Sequence, residues 1–153
     1  MFSRTCQYAL QAILFLSIRS VGNKPVSLKE IVASQEVPLH FLSKILQELV
    51  KRGILNSSKG PTGGFSFKIP PKKLKLLKIV EVIDGRGIFD KCGIGLKNCS
   101  DATPCPIHNE YKQIKENIKS LLSAKSVYDL AKEVKEGKAI VSFGLSLSNL
   151  RFQ

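Results

Sequence analysis

The sequence predicts a mainly α-helical fold with a small β-hairpin. Three observations predict it. Apolar residues recur at three- and four-residue steps through most of the chain, the spacing of one helix face. One glycine-rich turn, "KGPTGG" (59–64), separates two short runs of strand character. The 153 residues, 43% hydrophobic and 24% charged, have the balance of an ordinary globular chain, so disorder is not the default reading.

The first expected helix is "SRTCQYALQAILFLSIRS" (3–20). Ser3 or Thr5 caps it, and Ala9, Ala12, Ile13 and Leu16 form its apolar face. Cys6 lies beside those residues and reads as a small buried hydrophobe rather than a ligand. "GNKP" breaks the pattern. "SLKE" then forms a capping box, with Ser27 bonding a first-turn amide and Glu30 reaching back, ahead of a short helix from Leu28 to about Gln35. After the turn "EVPLH", a clear helix runs from Pro38, its first residue, to Arg52. Leu42, Ile45, Leu46 and Leu49 form its apolar face, and His40, Ser43, Lys44, Gln47 and Lys51 recur on the other side. Gly53 terminates it.

"ILNSS" and "FSFKI" are the two short strands, and "PPKK" breaks the chain again. "LKLLKIVEVIDG" (74–85) is expected as an amphipathic helix with Leu76 or Leu77, Val80 and Ile83 inward. A loop follows. "HNEYKQIKENIKSLLSAKS" predicts a long helix with Tyr111, Ile114, Ile118, Leu121 and Leu122 on one face. "SVYDLAKEVKEG" (126–137) adds a last helix capped by Ser126, with Asp129 three residues on. The tail "KAIVSFGLSLSNLRFQ" carries strand-like pieces. The expected organisation is a winged helix-turn-helix over 1–85, a ligand loop over 86–109, C-terminal helices over 110–137, and a tail of no assigned role over 138–153.

Charge narrows the partners. With 24 Lys+Arg against 12 Asp+Glu the net charge is +12, which favours nucleic acid or an anionic membrane surface. The apolar run Ala9 to Ile18 is shorter than the roughly 20 residues a membrane span needs. It is also followed by no small-residue cleavage site, so a cytoplasmic chain is expected. "KKLKLLK" (72–78) is the one weak candidate for a membrane surface, and a core helix with outward lysines explains it equally, so no membrane partner is expected. Helix, tight turn, helix and hairpin are the layout of a winged helix-turn-helix, whose second helix fits a DNA major groove. His40, Ser43 and Lys44 would reach bases, Gln47 and Lys51 lie further along, and the wing offers Ser57, Ser58, Lys59 and Thr62 to phosphates or the minor groove. Each residue alone reads as solvated surface. Together with the basic glycine wing and the net charge they predict binding to double-stranded DNA.

The loop "CGIGLKNCSDATPCPIHNEY" gathers three of the four cysteines and one of the two histidines. Its spacing, C-x6-C-x5-C-x2-H, lacks the tight knuckles of structural zinc sites. Three clustered thiols exceed what a catalytic thiol requires, and a disulfide suits a cytoplasmic chain poorly. Iron–sulfur ligands accept looser spacing, and histidine can replace one cysteine. Spacing favours a metal centre and leaves zinc and iron–sulfur both open. His108 reads either as a helix-terminal residue or, three residues after Cys105, as a ligand.

These features resemble the Rrf-two family of bacterial transcription regulators, whose best-known types are IscR and NsrR. The matching pieces are "QYALQAILFL", "VSLKEIVASQEVPLHFLSKILQELVKRGIL", "SSKGPTGGF", "IVEVIDG" and the cysteine loop, from residue 1 to about 135. The resemblance implies a winged helix-turn-helix plus a long C-terminal dimerisation helix (about 110–123), a homodimer on roughly palindromic DNA, usually a repressor, and no enzymatic activity. It implies that Cys92, Cys99 and Cys105 ligate an iron–sulfur cluster, by which the chain senses iron–sulfur, redox or nitric-oxide status. In the IscR type a histidine three residues after the last cysteine, here His108, completes a [2Fe–2S] site. In the NsrR type an aspartate before the first-helix tyrosine ligates a [4Fe–4S] cluster. Gln7 stands there, which favours [2Fe–2S] over [4Fe–4S]. The first cysteine gap is one residue longer than is common in either type, and His40, Ser43 and Lys44 replace the IscR-type recognition residues, so a different operator is expected. A metal-free thiol switch on the same DNA-binding frame, or a cluster-carrying redox protein, are the alternatives.

Overall fold

Helix α1 (Arg4–Arg19) starts where the Ser3 hydroxyl accepts the Cys6 amide hydrogen at 3.0 Å. Its small residues Ala9 and Ala12 are fully buried and let neighbouring helices approach closely, while Ile13, Phe15 and Leu16 fill the space between. The computed structural model describes residues 1–141. In that span α1 packs against α3 (Leu39–Lys51), α4 (Leu76–Ile83) and α6 (Val127–Lys135).

Ser27 caps α2 (Leu28–Ala33), accepting from the Glu30 amide. The return half of the expected capping box is not made. Glu30 turns instead to Arg19, whose Nε donates to its carboxylate at 2.8 Å, tying α2 to the end of α1. Pro38 also differs from expectation. It precedes α3 as its cap residue, with φ −56 and ψ 135, because its carbonyl must face back to accept the Phe41 and Leu42 amides at 3.0 and 3.1 Å. Leu42, Ile45, Leu46 and Leu49 are buried as expected. Gly53, at φ +73, reverses the chain after the helix.

Strands β1 (Leu55–Ser58) and β2 (Gly64–Phe67) pair antiparallel, with Leu55 opposite Phe67 and Ser58 opposite Gly64. Two further devices fasten this wing. Val26, just before α2, exchanges a pair of 2.9 Å backbone hydrogen bonds with Phe65. Asn23, at φ +57, uses its side-chain amide like a strand edge: Nδ2 donates to the Phe67 carbonyl at 2.9 Å and Oδ1 accepts the Phe67 amide at 2.8 Å. Gly64 is required by space as well as by φ +148, since a β-carbon there would lie 2.2 Å from the Val26 carbonyl oxygen.

The buried face of α4 is Ile79 and Val80, with Leu76, Leu77 and Ile83 only half-buried. Of the expected inward set, Val80 is fully buried, while Leu76, Leu77 and Ile83 pack only half-buried and Ile79 goes inward beside Val80, because α4 is covered on two sides. Ile79 enters the main core with α1 and α3, and Val80 enters a second cluster with Cys6 and Leu122. A single 3-10 turn, Arg86–Phe89, leads into the cysteine loop.

Helix α5 (His108–Ala124) departs most from its pattern. Leu122 is buried and Ile118 and Tyr111 are half-buried, but Ile114 and Leu121 are 50% and 57% exposed. The one apolar face read from the sequence is a stripe wide enough that the chain covers only part of it. Helix α6 begins with a complete Ser126–Asp129 capping box, and Val127 and Ala131 pack into the main core. No strand is present over 138–141, where Val141 packs against the same core, and the rest of the tail's strand-like pieces lies outside the described residues. No described helix is long and apolar enough to cross a membrane.

Candidate metal centre and nucleic-acid interface

Two surfaces carry the residues singled out by sequence. On α3, His40, Lys44, Gln47 and Lys51 are exposed and Ser43 is half-buried beside them. The buried leucine face forces this outcome, since α3 turns its opposite side to solvent. Gln47 Nε2 donates to Ser43 Oγ at 3.3 Å, which presents the pair as one polar unit. Lys44 and Lys51 have no ion-pair partner among the described residues, whereas neighbouring Arg52 is held by Glu48 at 2.7 Å. On the wing, Ser57, Ser58, Lys59 and Thr62 are all exposed. Gly63 is sterically obligatory there: an added β-carbon would sit 2.4 Å from the Ser58 carbonyl oxygen. Leu39, at the start of α3, is 48% exposed beside His40, and sequence reasoning missed it because a leucine reads as core.

The second surface is the loop between the 3-10 turn and α5. It brings Cys92, Cys99 and Cys105 together, with all three Sγ atoms within 4.8 Å of one another. Cys92 and Cys105 Sγ atoms are 3.7 Å apart as free thiols. His108 joins them: its Nδ1 is 3.0 Å from Cys99 Sγ. Local structure explains the convergence. Gly95, at φ +79, closes a turn in which its amide donates to the Cys92 carbonyl at 3.0 Å. The His108 amide donates to the Cys105 carbonyl at 3.0 Å, which folds the last cysteine and the histidine into one turn at the head of α5. Gly93 lies against the Tyr111 ring, where a β-carbon would come within 3.0 Å, and Lys115 Nζ donates to the Lys91 carbonyl at 3.1 Å. The loop is thus docked on α5.

The electrostatics of the thiols differ. Amide hydrogen bonds from Leu96 and Ile94, with thiol contacts from Cys105 and Cys99, outweigh partial burial and bring the Cys92 thiol down to about 7. Cys99 moves the other way: the Cys105 amide favours its thiolate, but burial and the adjacent thiols of Cys105 and Cys92 prevail and raise it. Cys6 is fully buried in the second apolar cluster, and burial, with the charge of Asp84, pushes its thiol up to about 12. It behaves as the hydrophobe expected. Gln7 reaches back to the residues preceding α1, with Nε2 donating to the Phe2 carbonyl at 3.2 Å.

Three soft thiol donors and an imidazole nitrogen, gathered on a loop of otherwise exposed residues, suit an iron–sulfur cluster or a tetrahedral zinc ion. Two residues at this site escaped the sequence reading. Asp101 accepts from His108 Nε2 at 2.9 Å and from Lys112 Nζ at 2.8 Å. Lys112, then His108, hold the Asp101 carboxyl below the usual carboxylate range. No spacing rule points to an aspartate inside an irregular loop.

The Rrf2 family model, described as "Iron-dependent Transcriptional regulator", matches residues 2–133. A protein of Aquifex aeolicus, provisionally named an HTH-type transcriptional regulator, is 32% identical over 131 residues, covering 84% of this chain and 90% of that protein. The HTH-type transcriptional regulator IscR of Aliivibrio salmonicida is 27% identical, over 81% of this chain and 73% of its own. Among solved structures, T. potens IscR matches with a TM-score of 0.71 at 25% identity, covering 92% of this chain and 93% of that one. CymR, the global cysteine regulator of B. subtilis, matches with a TM-score of 0.73 at 23% identity, covering 86% and 96%, a likeness of fold alone.

Proposed function

The chain belongs to the Rrf2 family of transcriptional regulators, and from that premise we propose that it is a cytoplasmic, homodimeric repressor that senses iron–sulfur, redox or nitric-oxide status through a cluster on Cys92, Cys99, Cys105 and His108. Regulators of this family bind DNA. The observation that carries the sensing role is the meeting of three thiols and His108 Nδ1 at the head of α5, directly behind a winged helix-turn-helix. The donor set fits a [2Fe–2S] cluster better than a [4Fe–4S] one, because His108 is already among the thiols while Gln7 is bonded to the Phe2 carbonyl.

When bound, such a cluster supplies a centre that oxidants or nitric oxide can alter. The chain's own residues relay the change. Cys105 and His108 share the turn that opens α5, and Gly93 rests on Tyr111 one turn further along. A loop that tightens or relaxes its donors therefore acts on the first turns of α5. The exposed Ile114 and Leu121 stripe on that helix would be covered by the same stripe of a second copy, a self-complementary contact. Moving α5 would then move two recognition helices relative to each other, which is how a ligand that favours one of two states shifts DNA affinity. His40, Ser43, Lys44, Gln47 and Lys51 would read a roughly palindromic operator, with Ser57, Ser58, Lys59 and Thr62 on the flanking backbone.

Protein purified without oxygen is expected to carry iron and acid-labile sulfide. A colourless zinc protein from that preparation sinks the cluster reading. Duplexes selected for binding should lose affinity steeply with salt, and Lys44→Ala and Lys59→Ala should each lower the logarithmic salt slope by about 1. Unchanged slopes would exclude this face.

A second reading is a thiol switch without metal. It is favoured by the 3.7 Å separation of Cys92 and Cys105 and by the lowered Cys92 thiol. Iron and sulfide analysis separates the two.

A further inference from the structure

His108 is held at both ring nitrogens. Nδ1 faces Cys99 Sγ at 3.0 Å and Nε2 faces Asp101 Oδ1 at 2.9 Å. A carboxylate only accepts hydrogen bonds, so Asp101 selects the neutral tautomer with its proton on Nε2, in which the Nδ1 lone pair faces the thiols. Asp101 is itself clamped. Lys112 Nζ, one helical turn beyond His108 on α5, donates to both of its carboxylate oxygens at 2.8 Å. The backbone that presents Asp101 is pinned by a small turn: the Thr103 amide donates to Ser100 Oγ at 3.2 Å, and Thr103 Oγ1 donates to the Asn98 carbonyl at 2.6 Å.

Stability does not account for this arrangement. The Asp101 side chain is 73% exposed and that of Lys112 51% exposed, and an ion pair so open to water adds little to folding. The geometry is the one by which a carboxylate fixes the tautomer and orientation of a metal-bound imidazole and raises its basicity.

We propose that Asp101, clamped by Lys112, is the positioning residue that presents His108 Nδ1 as the fourth donor of the thiol site. The proposal rests on the cluster reading above and adds to it the ligating nitrogen, the residue that selects it, and a direct link from the site to α5. The outer carboxylate also sets the electron donation of the ring, so it tunes the potential of whatever the ring ligates.

The test uses full-length protein reconstituted with iron and sulfide, as wild type, Asp101→Asn, Asp101→Glu, Lys112→Met and His108→Ala. Asp101→Asn is expected to lose its visible absorbance to a chelator on the order of 10–100-fold faster than wild type. Its midpoint potential should rise, because a neutral amide donates less charge to the ring. Asp101→Glu should recover most of both properties, and Lys112→Met should fall between Asp101→Asn and wild type. Thermal melting of the cluster-free proteins should be the same for wild type and the Asp101 and Lys112 variants. Pulsed EPR on protein carrying nitrogen-15 histidine should show a weaker ring coupling in Asp101→Asn. A wild type that takes up no iron and sulfide overturns the cluster reading and this inference with it. A cluster-loaded wild type matched by Asp101→Asn in chelator resistance and potential overturns this inference alone. His108→Ala matching wild type also overturns it.

Discussion

The wing and the cysteine loop are similar in length and both depend on glycine, yet they are held by opposite means. The wing is locked by backbone pairing on two sides. Phe65 is bonded to Val26, Phe67 to the Asn23 amide, and Gly64 sits where no β-carbon fits. Phe65 and Phe67 then bury their rings in the main core. In the loop, of residues 92–107 only Cys105 is buried, and no regular structure forms over that span. Its shape comes from isolated turns and its docking on Tyr111 and Lys115, together with thiol–thiol, thiol–imidazole and ion-pair contacts at the chemical site itself. The difference teaches where a response can originate. A wing fixed by burial and sterics has few ways to yield, whereas a loop whose donors are among its own fastenings is where a change at those donors acts first.

The contrast can be broken first at the core beneath α3. Leu46→Ala removes a fully buried side chain and should lower the unfolding free energy by roughly 2–5 kcal/mol, read from denaturant melts. Cys92 alkylation in the folded variant should stay as in wild type. A large change in that reactivity would mean the two regions are not independent.

Gly64→Ala comes next. The backbone strain at φ +148 and the Val26 contact together should cost about 2 kcal/mol or more, with DNA affinity reduced further than stability alone explains. A variant that melts and binds like wild type would show the wing to be adjustable. Asn23→Gly sharpens the same point more gently. Glycine tolerates φ +57, so only the two Phe67 hydrogen bonds are lost, at about 1–2 kcal/mol. Amide hydrogen exchange should rise in β2 and not in α5.

The smallest perturbation is pH on the cluster-free protein. With the Cys92 thiol near 7, its thiolate forms as pH rises through about 7, so iodoacetamide labelling should climb there and level off above it. Cys6, buried with its thiol near 12, should stay unlabelled until unfolding. Labelling of Cys92 that climbs only near pH 9 would show that the loop amides do not reach its sulfur.

How much of this was legible in the sequence follows the same division. Periodicity and punctuation placed α1, α3, the hairpin and α6, because local rules of burial, capping and glycine geometry act within a few residues. The three cysteines were legible as a donor set because soft ligands are rare and clustered. Errors arose where a residue had a choice of partner. Glu30 took Arg19 rather than its own helix start, and α4 centred on Ile79 and Val80 because it is covered from two sides. Asp101 gave no signal at all, since an exposed loop aspartate is ordinary until its neighbours in space are known.

The sequence by itself determined the family, the mainly helical order of elements, the solvent-facing polar side of α3 and the identity of the thiols. Those depend on residue type and on spacing along the chain. Only the tertiary structure decided that Asn23 seals the wing, that α5 keeps Ile114 and Leu121 uncovered, and that Asp101 and Lys112 hold His108 against Cys99. These are contacts between segments whose separation in sequence carries no period, and only folding brings them within hydrogen-bonding distance.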